Sequence, residues 1–281
     1  MPSPAPRRRR SPGAAALVVA LVLLSVCAGG APASALSPLR LRFPVMAGTK
    51  LVSASGSACT AGAVLQYTSL YTRISQAAAA TRYVLTAKHC ASMRESVRLG
   101  SGVDGYVSWQ SPDTDLELIT VPPGSSRSES CGPTGSGPIR CSIVVQYYPR
   151  ATGRVVLPSS TNGRDITPAV TRYAEPPGGE IRFCRSGAAS GADCTLVTTT
   201  TPSPVSFRIP GAASATPRSG LISVGGDSGA PITSASDGFT DVTIYGILHG
   251  GGRYSEGYKD TFVRMSRFFE ETSGYSLAPA R

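Results

Sequence analysis

Short runs of β-branched, aromatic and aliphatic residues recur along this sequence, each closed within a few positions by glycine, proline, serine or asparagine. Arg82-Tyr83-Val84-Leu85-Thr86 is the clearest, and Leu116–Val121, Ser142–Tyr147, Ala169–Tyr173, Thr195–Thr200 and Thr240–Leu248 follow the same pattern. Runs of this length are too short for helices and too closely spaced for crossover helices between them, so the chain reads as all-β, a sandwich or a barrel. Gly62–Tyr67, Ser96–Leu99, Gly105–Ser108, Gly153–Leu157, Ile181–Cys184, Ser206–Arg208, Pro231–Thr233 and Thr261–Val263 are further expected strands. The 31 glycines and 23 prolines suit the many turns this requires. Arg264–Glu271 is the best helix candidate, and Ser75–Ala80 reads as one helical turn or a loop. Residues 36 to about 50 read as an irregular lead-in. Pro/Gly clusters between 122 and 140 mark the expected boundary between an N-terminal unit, 36–130, and a C-terminal unit, 131–281.

The first 35 residues read differently. Four arginines, Arg7 to Arg10, precede an apolar run from about Ala14 to Ala28, and Ala33-Ser34-Ala35 supplies a small-residue cleavage pattern. This is the form of a secretory signal peptide, and the apolar run is short for a membrane span. The expected product is therefore extracellular, with no stable membrane insertion. Cleavage after Ala35 lowers the formal net charge from +10 to +6. The remaining arginines are scattered and do not alternate with aromatics, so no nucleic-acid footprint is present.

Seven cysteines are present, and Cys27 leaves with the export segment. An even set in an exported chain reads as disulfides. Cys131–Cys141 and Cys184–Cys194 are natural local pairs, each closing a Gly/Ser-rich loop, which leaves Cys59–Cys90 by elimination. A structural zinc site is disfavoured, because no CxxC knuckle occurs and only His89 and His249 are available. No metal or organic cofactor is expected.

Three segments carry chemistry. Leu85-Thr86-Ala87-Lys88-His89-Cys90 places a histidine at the end of a buried strand, beside a cysteine that can be cross-linked. Asp113-Thr114-Asp115-Leu116-Glu117-Leu118 offers two carboxylates ahead of an apolar strand. Leu116, Leu118 and Val121 favour Asp115 over Asp113 as the one at the strand's mouth. Gly225-Gly226-Asp227-Ser228-Gly229-Ala230-Pro231 presents a serine on a glycine turn. A serine hydroxyl is a weak nucleophile and needs a base; histidine titrates near neutrality; a carboxylate fixes its tautomer. The glycines allow the N–H groups of Gly226 and Ser228 to converge as an oxyanion hole.

These segments resemble the boxes of the chymotrypsin-like serine proteases, in the order histidine, aspartate, serine, with Ala230 where the family has glycine. The resemblance runs from about Val45 to about Tyr275 and is closest in style to compact bacterial secreted members. It implies two six-stranded antiparallel β-barrels with a C-terminal helix, and a catalytic set of His89, Asp115 and Ser228 in the cleft between them. It implies a secreted endopeptidase acting on an extended peptide or protein, as a monomer, through an acyl-enzyme. The Cys59–Cys90 pair matches the family disulfide beside the base. The strand Tyr245–Gly251 would pair with substrate through His249, Gly250 and Gly251. The primary pocket would have its base near Ile222 and Ser223, with Asp260 approaching its wall. His249 is open to two roles, against substrate or packed beside the aspartate. Asp227 would order the oxyanion loop through an internal ion pair, served by an arginine if no new N-terminus reaches it. A catalytically silent binding protein on the same fold is the alternative.

Overall fold

Strand alternation and turn residues build two antiparallel-rich sheets in a computed structural model that describes residues 37–133, 139–236 and 240–281. The expected export segment and Cys27 lie outside the described residues, as does part of the Pro/Gly-rich stretch at 122–140.

The first sheet runs in the order Tyr275–Leu277, Ala63–Tyr67, Arg82–Thr86, Glu117–Val121, Val103–Gln110, Ser96–Leu99, Lys50–Ser53, Ala58–Thr60. It curls into a half-barrel around Leu51, Val84, Val97, Leu99, Val107 and Ile119. The second sheet closes. Asp241–Tyr254, Pro231–Ser234, Phe183–Gly187, Gly191–Thr199, Ala212–Pro217 and Gly257–Arg264 follow one another, and the last pairs back onto the first to complete a six-stranded barrel. Phe183 and Phe262 fill it, both without exposed surface. Leu65, Leu85 and Leu118 of the first sheet join Ile244, Ile247 and Val263 of the second in one apolar cluster, so the two sheets share a core where they meet. The architecture is all-β and chymotrypsin-like. The helix Met265–Glu271 caps it, with Phe268 edge-on to Trp109 at 5.7 Å. Among the described residues no helix is long and apolar enough to cross a membrane.

Two expectations need correction. Ser206–Arg208 is not a strand but the end of the helix Ser203–Arg208. Pro202 caps the helix and Pro204 fixes helical φ in its first turn; both lack the donor that a strand ladder would need, and the β-like Phe207 is 90% exposed with no face to bury. The lead-in is ordered: a 3₁₀ turn, Pro38–Leu41, is followed by the strand Val45–Ala47, parallel to Ala151–Val155. The stretch at the expected boundary holds paired strands. Gly124–Pro133 pairs in continuous register with Ile139–Tyr148 as a separate ribbon, with Cys131 opposite Cys141. Its first strand carries no apolar alternation because the ribbon stands mostly in solvent, so periodicity had nothing to report.

Candidate active site

The Arg82–Thr86 strand is central in its sheet and almost wholly buried, so its end is a fixed point. The chain leaves it through the 3₁₀ turn Lys88–Cys90, and the Cys59–Cys90 disulfide ties that turn to the strand Ala58–Thr60 at the end of the sheet. Lys88 adds two bonds, from its backbone N–H to the Asp115 carbonyl at 3.2 Å and from Nζ to the Ser111 carbonyl at 2.6 Å. His89 is thereby set beside Asp115. Its backbone N–H donates to Oδ1 at 3.1 Å and its Nδ1 to Oδ2 at 2.8 Å. Asp115 enters from a tight turn in which Ser111 Oγ accepts from the N–H groups of Asp113 and Thr114. That turn leaves Asp113 exposed and turns Asp115 inward.

A second histidine shares the same oxygen. His249 Nδ1 donates to Asp115 Oδ2 at 2.6 Å, with its ring perpendicular to that of His89 and centroids 5.6 Å apart. Because the carboxylate can only accept, both Nδ1 atoms carry hydrogen, and each neutral ring keeps its lone pair on Nε2. Burial works against the Asp115 charge, but the bonds from His249 and His89 outweigh it and hold its carboxyl below the ordinary value. The bond to Asp115 in turn raises His89 above the ordinary imidazole value, against the opposing effect of burial. His89, Asp115 and His249 bring ligand-type atoms within 4.8 Å of one another, a spacing a divalent ion could bridge. Hydrogen bonding already accounts for the arrangement, since each separation from Oδ2 has hydrogen-bond length.

The serine turn is held by glycines and by Thr60. Gly226 has φ +100° and Gly229 φ +84°, and a Cβ on Gly229 would collide with Thr86 Oγ1 and the Thr60 carbonyl. Thr60 donates its N–H to the Ser228 carbonyl at 2.8 Å and its Oγ1 to the Gly226 carbonyl at 2.8 Å, while its own carbonyl accepts from Thr86 Oγ1. One threonine thus fastens the serine turn to the strand that carries His89. The N–H groups of Gly226 and Ser228 have no acceptor among the described residues. No hydrogen bond joins the His89 ring to Ser228 Oγ; the ring's bond among the described residues is to Asp115.

Asp227 differs from its expected role. It is fully buried, and backbone N–H groups rather than an arginine meet it: Ala189 and Ser190 at Oδ1 and Val224 at Oδ2, each at 2.9 Å. The core arginine, Arg185, is paired with Asp260, and neither side chain is exposed. Asp260, expected near the pocket wall, is paired with Arg185, and no surface of it reaches solvent. In front of this pair, Tyr258 Oη and Ser223 Oγ lie 2.6 Å apart, close enough to Gly251 that a Cβ there would strike both. Ile222 is exposed, Ser223 is half-buried and Gly250 and Gly251 line the strand edge opposite them. His249 and His89 open onto a cleft of about 750 Å³, shared with Lys88, Val205, Arg208 and Tyr254. Thr60, Arg185 and Tyr258 carry much of this arrangement without any motif to mark them.

No family model matches this chain, and neither does any curated protein. Among solved structures it is similar to the crystal structure of Nocardiopsis protease (NAPase), a bacterial chymotrypsin-like protease, with a TM-score of 0.51 and 18% sequence identity, covering 83% of this chain and 98% of that one. That likeness establishes the fold.

Proposed function

We propose that this protein is a secreted serine endopeptidase. The single observation that carries the reading is the bond from His89 Nδ1 to Asp115 Oδ2, which leaves the Nε2 lone pair free on a half-exposed imidazole that lines the cleft. That is the arrangement a general base requires. Ser228 would attack the scissile carbonyl carbon and pass its proton to His89 Nε2. The oxyanion would form where the unsatisfied N–H groups of Gly226 and Ser228 converge. His89 would then protonate the departing amine as the C–N bond breaks. Water would attack the acyl-enzyme, give a proton to His89 and release Ser228. Asp115 stays ionised throughout, and His249 acts as a positioning residue that keeps its Oδ2 in place.

The substrate is an extended peptide added along the strand edge at His249, Gly250 and Gly251. The pairing of Asp260 with Arg185 removes the acid that would draw a lysine or arginine into the primary pocket. Three disulfides, Cys59–Cys90, Cys131–Cys141 and Cys184–Cys194, fit an oxidising, extracellular location.

The absence of a His89–Ser228 bond favours the second reading, a silent binding protein. Catalytic hydrogen bonds are often long before substrate arrives, so the two readings are separated by reactivity. A fluorophosphonate probe is expected to label Ser228, and Ser228→Ala is expected to abolish peptide hydrolysis while leaving the circular dichroism spectrum unchanged. Peptidase activity surviving in that purified variant would remove the assignment.

A further inference from the structure

A second cavity, of about 370 Å³, borders the serine turn. Gly225 and Gly226 form one wall, Cys59 and Ala188 the sides, and Arg40 and Lys50 the remainder. It shares no lining residue with the cleft that holds His89 and His249. Its lining contains two cations and no acid.

Arg40 is the unusual member. It comes from the 3₁₀ turn of the lead-in and is 2% exposed. Its Nη1 donates to the Gly48 carbonyl at 3.1 Å and to Ser186 Oγ at 3.0 Å. Its Nε and Nη2 have no acceptor among the described residues, and no carboxylate of a described residue lies within ion-pair distance. Burial lowers the guanidinium below its ordinary value, with Asp165 and Asp227 countering only from a distance. A buried cation with spare donors in an open cavity is electrostatically incomplete, and guanidinium matches a carboxylate geometrically.

We infer that the cavity beside Gly226 is a leaving-side subsite selecting a carboxylate, contributed by one of the first two residues after the scissile bond. The inference rests on the proteolytic reading. In that reading Gly226 marks the scissile carbonyl and the acyl half of the substrate follows the Gly250–Gly251 edge. What crosses to the Arg40 side is then the part that departs. An aspartate or glutamate there would meet Arg40 at the cavity wall and Lys50 at the rim.

The test uses internally quenched peptides, identical except for Asp or Glu against Asn or Gln at the first and second positions after the bond. For at least one position the acid is expected to raise kcat/KM about tenfold, the worth of one charge-assisted hydrogen bond. The ratio is expected to shrink as salt is added. Arg40→Met is expected to abolish the acid-to-amide ratio. Because Arg40 also ties Gly48 to Ser186, Lys50→Met provides the second variant, expected to reduce the same ratio. Equal kcat/KM for acid and amide in an enzyme that hydrolyses both overturns the subsite and leaves proteolysis standing. No hydrolysis of any peptide, with no labelling of Ser228, overturns proteolysis and the subsite with it.

Discussion

Glu117 stands two residues beyond Asp115 with no exposed surface. Its Oε2 accepts from Gln110 Nε2 at 3.0 Å, and its Oε1 has no partner among the described residues. Burial, joined by the charges of Asp115 and Glu95, raises its carboxyl from an ordinary 4.5 to about 8. Below the ordinary value the group is protonated in both folded and unfolded chains. Between that value and about 8 the native state keeps a proton that the unfolded chain has released, so stability falls as pH rises and stops falling above the folded value. The slope in mid-window is about 1.4 kcal/mol per pH unit, which gives about 2–3 kcal/mol between pH 5.5 and 7.5. Glu117→Gln keeps an acceptor for Gln110 and removes the titration. Urea unfolding at a series of pH values, with Ser228→Ala as the shared background to prevent self-digestion, measures the difference directly. The variant is expected to gain on the parent by that amount across the interval. A difference that stays constant at every pH would refute the reasoning that burial keeps this carboxyl neutral. The neutral state also has a functional consequence, since an ionised Glu117 would place a second negative charge beside the Asp115 that orients both histidines.

Other consequences are as specific. With His89 raised above the ordinary imidazole value by Asp115, kcat/KM is expected to climb as pH passes through a value above 6.5; Asp115→Asn should move that limb down and cut kcat by roughly a thousandfold or more, read from a pH–rate profile. His249→Ala removes one of two donors to Asp115 Oδ2, and kcat is expected to fall about tenfold to a hundredfold with KM little changed, from the usual 1.5–3 kcal/mol of a hydrogen bond to a charged group. Thr60→Val keeps the N–H that holds Ser228 but loses the Oγ1 bonds to Gly226 and Ala188; a drop of about tenfold in kcat, with native thermal unfolding reduced by about 1–2 kcal/mol, is the expected result. Asp260→Asn strands a buried guanidinium and should cost about 3–5 kcal/mol in denaturant unfolding, whereas replacing Arg185 and Asp260 together by apolar residues should cost far less.

Much of this molecule was legible before any fold was known, because the relevant physics is local. The Arg82–Thr86 strand declared itself through β-branched and aliphatic residues that only a buried strand uses well, and the observed bounds coincide with the run. The serine turn was marked by glycines at positions that adopt positive φ, Gly226 and Gly229. Where local composition misled, a particular force was at work. Prolines turned Ser203–Arg208 into a helix, and solvent on most of the Gly124–Pro133 ribbon erased the alternation that identifies strands.

The sequence alone determined the all-β class and which residue types could perform nucleophilic chemistry, since turn preferences, apolar periodicity and side-chain pKa values belong to short segments. The tertiary structure decided the partners. Arg185 meets Asp260 rather than Asp227, His249 meets Asp115 across 134 positions, and Thr60 fastens a turn 166 positions away. Charge pairing and hydrogen bonding depend on separations in space of a few ångströms, and only the folding of two sheets against a shared core brings distant segments to those separations.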